Sequence, residues 1–340
     1  MDQRRTTNIL LLVIVIPLVF YLLKQLSFIF VPLVFSMFIA LLFLPLMRWL
    51  GKKKVPKPVS ILIVILLIIG GLKVGFELIE LSSKQILGSD SEFFVKAEEK
   101  FEIISKSLQD NFGVKIDTDK NILSQVIHKD NIGSTFDFIR KFLTAILMTA
   151  FFVVLWLAES INFQKVLNST ILKGKHASVK TFRKIEKDLI KFIKVKFLVS
   201  LATGIGTGLA CLFFDVSFPI FWGLFAFVIN FVQMVGSIIT VVMLSVFAII
   251  ELDPTSTLFF FIMSITGVQV LFGSILEPIF MGKSFSLNVI TVLVMLMLWG
   301  YIWGVPGLIM AIPITVFVKI ILEQFPNTKV ISKLLSANQN

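Results

Sequence analysis

Residues 267–313 read GVQVLFGSILEPIFMGKSFSLNVITVLVMLMLWGYIWGVPGLIMAIP, an apolar stretch broken at Glu277-Pro278, at Gly282-Lys283 and by the run WGYIWGVPG from Trp299 to Gly307. In hydrocarbon a carboxylate, or a backbone group freed by proline or glycine, has no partner unless it faces protein or water. A segment that only had to sit in lipid would not interrupt itself this often. The interruptions point to a pathway across a bilayer.

The rest of the chain agrees with that solvent. Of its 340 residues 56% are hydrophobic and only 16% charged, with 36 Phe and a mean hydropathy of +0.94. That exceeds the apolar content of soluble domains and defines an all-α polytopic membrane protein with about eight membrane-inserted elements, judged by the ~20 residues a helical span needs. Cys211 is the single cysteine and lies in an apolar run, so there is no disulfide framework or cysteine metal site, and packing is its expected role. Arg4 and Arg5 precede the apolar run Ile9 to Leu23 as in a signal peptide. No small-residue cleavage site follows, and another apolar segment begins at Leu26, so the run reads as a retained first helix.

A net charge of +11 raises the question of nucleic acid, which the placement of the charges answers. Five Lys/Arg lie between Arg48 and Lys57 and ten between Lys165 and Lys196, both groups flanked by apolar spans. Such clusters mark the cytoplasmic side and favour anionic lipid head groups. The stretch Glu80 to Asp137 mixes acids and bases and suits the opposite face. Both termini are then cytoplasmic, and no nucleic-acid partner is expected.

Six spans follow: Ile9 to Leu23, Ser27 to Leu46, Val59 to Ile79, Phe142 to Ala158, Phe197 to Phe214 and Thr257 to Leu276, with a tight external turn at Lys24-Gln25. The chain divides into transmembrane helices (1–79), an extracytoplasmic helical region (80–137), a fourth transmembrane helix (138–160), a basic amphipathic cytoplasmic segment (161–196), a transport core (197–325) and a cytoplasmic tail (326–340). Two stretches, Phe218 to Ile250 and Leu287 to Leu322, are too long for one span. Halved, each arm is roughly 21–27 Å at ~1.5 Å per residue, short of the ~30 Å core. Each reads as a helical hairpin, the first entering from outside and the second from inside, with pairs of short spans as the alternative. Broken elements that meet near the midplane hold the substrate sites of secondary transporters.

Outside the bilayer, Ser91 to Leu108 carries Phe93, Phe94, Ala97, Phe101, Ile104 and Leu108 at helical spacing. That face needs cover from its own bundle, the membrane interface or a second subunit, which makes a homo-oligomer an open possibility. A short helix from Thr118 to His128, capped by Asp117, is expected next. Val179 to Lys196 places Phe182, Ile185, Leu189, Phe192 and Ile193 on one face and basic residues elsewhere. It reads as an interfacial helix on anionic lipid, or as a linker coupling the two membrane halves.

Enzyme chemistry finds no footing. There is no HExxH, the histidines are His128 and His176 in extramembrane segments, no two aspartates fall within the spans, and no P-loop appears. Neither metal nor cofactor is implied. Glu277 is the leading candidate: it is either an interface carboxylate paired with Lys283, or a group that binds a proton, a cation or a solute hydroxyl. Asn230, Gln233 and Gln269 supply amide donors and acceptors suited to a small polyhydroxylated ligand, or alternatively to interhelical bonds. Trp303, at a hairpin tip, can line the same path. Pro278, Gly236, Gly282, Gly304, Pro306, Gly307 and Pro313 are the expected hinges. Gly204 and Gly208 form GxxxG, read as close helix packing. Asp215, Glu251 and Asp253 read as solvated turn residues, and Trp222 as a membrane-belt residue.

The stretch GSILEPIFMGKSFSLNVITVLVMLMLWGYIWGVPGLIMAIPITVFVKIIL resembles the C-terminal signature of the autoinducer-2 exporter family of bacterial membrane proteins, and FPIFWGLFAFVINFVQMVG resembles its upstream motif. The family's Glu-Pro and Gly-Lys correspond to Glu277, Pro278, Gly282 and Lys283, its Trp-Gly to Trp303-Gly304, and its Ala-x-Pro to Ala311 and Pro313. Where that family usually carries Ile-Pro-aromatic-x-Gly-Pro, Phe231 to Ser237 reads FVQMVGS. Asn230 and Gly236 remain while both prolines are gone. The resemblance implies a transporter of the bacterial inner membrane that exports a small polar solute such as autoinducer-2. Some relatives are described as sodium or lithium/proton antiporters, which keeps a monovalent cation/proton exchanger as an alternative. A scaffold without transport is the third reading.

Overall fold

A computed structural model describes residues 3–88, 144–159, 176–232, 235–252, 256–282, 287–324 and 328–336. Its helices are α1 (Gln3–Gln25), α2 (Ser27–Lys52), α3 (Lys57–Gly88), α4 (Thr144–Glu159), α5 (His176–Phe213), α6 (Pro219–Ile229), α7 (Val235–Glu251), α8 (Ser256–Met281), α9 (Val289–Trp303), α10 (Val305–Gln324) and α11 (Lys329–Leu335). Among the described residues there is no β-strand, and five helices are long and apolar enough to cross a membrane. The fold is all-α and polytopic. The expected external helices Ser91 to Leu108 and Thr118 to His128 lie outside the described residues, as do Gln233, Asp253 and Lys283.

Two joints differ from expectation. The turn placed at Lys24-Gln25 is a one-residue corner at Leu26, whose N–H still reaches Leu22 O at 2.9 Å while its carbonyl accepts from Phe30 at 3.1 Å. The basic segment ending at Lys196 and the span beginning at Phe197 form one unbroken helix, the 38-residue α5, roughly 57 Å long. Nothing between Leu189 and Gly204 breaks an α-helix, and the apolar face of the basic half runs in phase into the span.

α5 organises the bundle through glycines. A Cβ at Gly204 would stand 2.7 Å from Gly223 O and 2.8 Å from Phe227 Cβ, and one at Gly208 would stand 3.2 Å from Pro219 O. These contacts lay α6 antiparallel on α5 at backbone distance, which is the packing that small residues allow. α8 also runs antiparallel to α5, from Gly206 against Val268 to Lys191 near Gly282.

Both long apolar stretches fold back as helical hairpins. In the first, Trp222 and Phe218 meet Phe247 with ring centroids 5.1 and 5.8 Å apart. At its tip a Cβ on Gly236 would come 2.1 Å from Ile229 O. In the second, Gly304 turns the chain at φ +63°, a conformation costly for any side chain, and a Cβ on Gly307 would come 1.9 Å from Trp299 O. Pro306 occupies the first turn of α10, where a missing N–H costs nothing. Pro313 lies inside α10, which continues past it, so it does not separate two helices.

Two apolar clusters lie along α5, one at its C-terminal end and one near its middle. Cys211 and Ala210 pack with Phe218, Trp222, Leu244 and Phe261, while Leu189 and Phe192 pack with Val232, Met281, Leu296 and Ile312. A third cluster joins the second hairpin's tip to α1 and α2, and a fourth joins α2, α3 and α4. Cys211 is fully buried, in line with a packing role.

Candidate transport site

Between these two clusters α5 presents Lys196, Ser200, Thr203 and Thr207, at steps of four, three and four, along one helical face. All four are at most 2% exposed. A polar column therefore runs through the middle of an apolar bundle.

At its lower end Lys196 Nζ donates to both oxygens of Glu277, at 2.9 and 3.0 Å. Glu277 is 3% exposed. The partner expected from sequence was Lys283, which lies outside the described residues; the carboxylate is held by Lys196, 81 positions away. Next, Asn230 at the end of α6 donates its side-chain amide to Ser200 Oγ at 3.0 Å. Thr203 Oγ1 donates to Val199 O at 2.9 Å, keeping its lone pairs for another donor.

Glu277 reaches this face because α8 is not a plain α-helix. Val270–Leu276 form a π-helical turn, with Glu277 N–H bonded to Phe272 O five residues back. Pro278 cannot donate, and its ring would collide with the carbonyl four residues before it in a regular helix. The wider turn relieves both conditions, and such turns recur at functional sites. One extra residue per turn shifts the following residues by about 100°. That brings Glu277 back into line with Gln269, which lies on the inner face with Phe261 and Ile265.

Gln269 is 3% exposed, and among the described residues neither its amide oxygen nor its amide nitrogen has a hydrogen-bond partner; Thr207 Oγ1 is in the same condition. Gly206 packs against Val268, so Thr207 and Gln269, the next residues on these antiparallel helices, lie to either side of that contact, roughly 3 Å apart along the α5–α8 pair.

Of the residues expected from sequence, Glu277, Asn230 and Gln269 come together on α5, and Gln233 lies outside the described residues. Trp303 is elsewhere: its indole N–H donates to Leu23 O at 2.9 Å, fixing the second hairpin's tip to α1, while Lys24 Nζ sits 3.7 Å over the Tyr301 ring. Gly236, Gly304 and Gly307 are at the hairpin tips, and Gly282 ends α8 at φ +83°. Two readings need correction. Trp222 is buried rather than in an interfacial belt. Glu251 is not merely solvated, since it accepts from Ser217 N–H at 2.9 and 3.0 Å and from Ser217 Oγ, closing the open end of the first hairpin. Among the described residues no three His, Cys, Asp or Glu side chains gather as metal ligands would.

Nothing in the sequence alone singles out Lys196, Ser200, Thr203 and Thr207. Lys196 reads as the last of a basic cluster, though its position four residues past Phe192 and seven past Leu189 puts it on their inward face. A second buried lysine, Lys319, is 1% exposed and lies 3.7 Å from Glu323 one turn on.

A multi-pass helical bundle with hairpins around a buried polar column has the makeup of a membrane transporter. The chain belongs to the AI-2E transporter family, whose description, AI-2E family transporter, matches residues 10–327. It is similar to the AI-2 transport protein TqsA of Escherichia coli K12, at 22% identity over 91% of this chain and 89% of that protein. It is also similar to a provisionally designated transport protein of Haemophilus influenzae, at 24% identity over 88% of this chain and 87% of that one. A provisionally designated transport protein of Borreliella burgdorferi is 34% identical over 46% of this chain and 43% of that protein, so that match spans less than half the relative's length.

Proposed function

We propose that this protein is a secondary transporter of the bacterial inner membrane that exports a small polar solute of the autoinducer-2 kind, with both termini cytoplasmic. The observation that carries the reading is the column on α5, in which an ion pair, an amide–hydroxyl pair and an unpartnered amide are buried in an otherwise apolar bundle. Buried polar groups of this sort cost stability and mark solute paths in membrane proteins. The Escherichia coli relative's name, an AI-2 transport protein, supports the substrate class.

In this reading the solute passes along Asn230 and Gln269, and the Lys196–Glu277 pair closes the path where the tip of the first hairpin and the arms of the second pack on α5. Val232 of the first tip packs in one cluster with Leu296 of the second hairpin, bordered by Trp299. Glu277 is already neutralised by a lysine, which favours a gate over a site for a free cation.

The test is efflux of autoinducer-2 from preloaded proteoliposomes, with sodium-driven proton movement followed in parallel. Wild-type protein should release the solute, and Glu277→Gln should lose at least about tenfold in rate, the effect of ~1.4 kcal/mol at the limiting step. Equal efflux from both proteins and from empty vesicles would refute the reading.

A further inference from the structure

The polar column is satisfied at its lower end and unsatisfied above. Lys196 and Glu277 bond to each other, and Asn230 bonds to Ser200, whereas Gln269 and Thr207 leave an amide oxygen, an amide nitrogen and a hydroxyl without partners among the described residues. Native interiors rarely leave such groups unmet. Gln269 and Thr207 also lie on neighbouring helices, α8 and α5, beside the contact of Gly206 with Val268.

We propose that Gln269 and Thr207 form a subsite for a neutral solute bearing adjacent hydroxyls, on the side of the Lys196–Glu277 pair away from the basic end of α5. This rests on the transport reading above and adds the solute's charge state and a recognition element. A carboxamide offers an acceptor and a donor side by side, so one solute hydroxyl donates to Gln269 Oε1 while its neighbour accepts from Nε2. Thr207 Oγ1 can complete either hydroxyl. Charge is excluded by position. The ionised groups of the column spend themselves on each other, and Glu277 is eight residues from Gln269, roughly 12 Å along the helix. Thr207 is eleven residues from Lys196, roughly 16 Å. An anionic solute would lose its water at Gln269 and gain no cation in return.

Full-length protein in detergent micelles, titrated with erythritol and separately with erythritol 4-phosphate while thermal unfolding is followed, tests this directly. Erythritol should raise the unfolding midpoint saturably and the phosphate ester should not. Non-specific polyol stabilisation rises without saturation and is the same in every variant. Gln269→Leu should weaken the erythritol response by about 10- to 100-fold and Thr207→Val by about 3- to 10-fold, the values for losing two hydrogen bonds or one. Should Gln269→Leu fail to fold, Thr207→Val decides alone. The subsite is overturned if wild type shows no saturable shift, if the ester binds as well as erythritol, or if the folded variants respond as wild type does. Autoinducer-2 efflux lost in Glu277→Gln, without any erythritol response, would overturn the subsite and leave the transport reading standing. A saturable erythritol response with no efflux would do the reverse.

Discussion

Lys196 Nζ sits between the two carboxylate oxygens of Glu277, at 2.9 and 3.0 Å, with both side chains nearly inaccessible. The pair ties the middle of α5 to the end of α8. Removing two charges from water costs several kcal/mol per ion, and their mutual attraction inside seldom more than repays it. Apolar side chains of the same size would hold these helices together at least as well, so the pair is better explained by what it does when it opens.

Breaking one partner should therefore be worse than replacing both. Lys196→Met or Glu277→Leu alone is expected to lower stability by about 3–5 kcal/mol, because each strands a buried charge. The double variant should recover most of that loss yet fail to transport. Equilibrium unfolding in mixed micelles, paired with vesicle efflux, measures both halves, and a double variant that still transports would remove the pair from the mechanism.

Gly204 and Gly75 should answer alanine with opposite signs. At Gly204 the new Cβ meets Gly223 O at 2.7 Å, and forcing α6 away should cost about 1–3 kcal/mol. A Cβ at Gly75 on α3 would meet no described residue within 4 Å, and alanine there should gain up to about 1 kcal/mol of helix propensity. Thermal unfolding of the two variants side by side checks the difference.

Glu251→Ala should loosen the mouth of the first hairpin, not its tip. Ser217 loses the acceptor for its N–H and its hydroxyl, at about 1–3 kcal/mol. Hydrogen exchange should accelerate at the Ser217 amide while amides near Asn230 keep their protection. Uniform acceleration across the hairpin would contradict this.

Cys211, fully buried between α5, α6 and α7, should resist maleimide in the folded protein and react on unfolding. Mass spectrometry of labelled samples gives the rate. Rapid labelling under native conditions would show that this end of α5 opens to water.

The sequence is most legible where chemistry and covalent geometry act locally. The spans followed from runs of apolar residues, the hairpins from Asn230, Gly236 and WGYIWGVPG at their middles, and the weight placed on Glu277 from a carboxylate before a proline. What stayed hidden needed a partner from elsewhere. Lys196 looks like any other basic residue until α8 is laid beside α5, and Glu251 looks solvated until Ser217 returns 34 positions away. Ser200, Thr203 and Thr207 are commonplace in membrane helices, where each can bond its own backbone. Only their shared face against Asn230 and Gln269 gives them meaning. Pro278 marks a hinge in the sequence, but the π-helical turn before it and its effect on the direction of Glu277 depend on a count of residues per turn that composition does not reveal.

That turn, Val270–Leu276, behaves like a dislocation in a crystal. Moving it one repeat along α8 would roll the residues it passes by about 100° and leave both flanks seated where they were. Gln269 lies on one side of it and Glu277 on the other. The alignment of amide and carboxylate on a common face is thus a matter of phase, set by where the turn lies along α8.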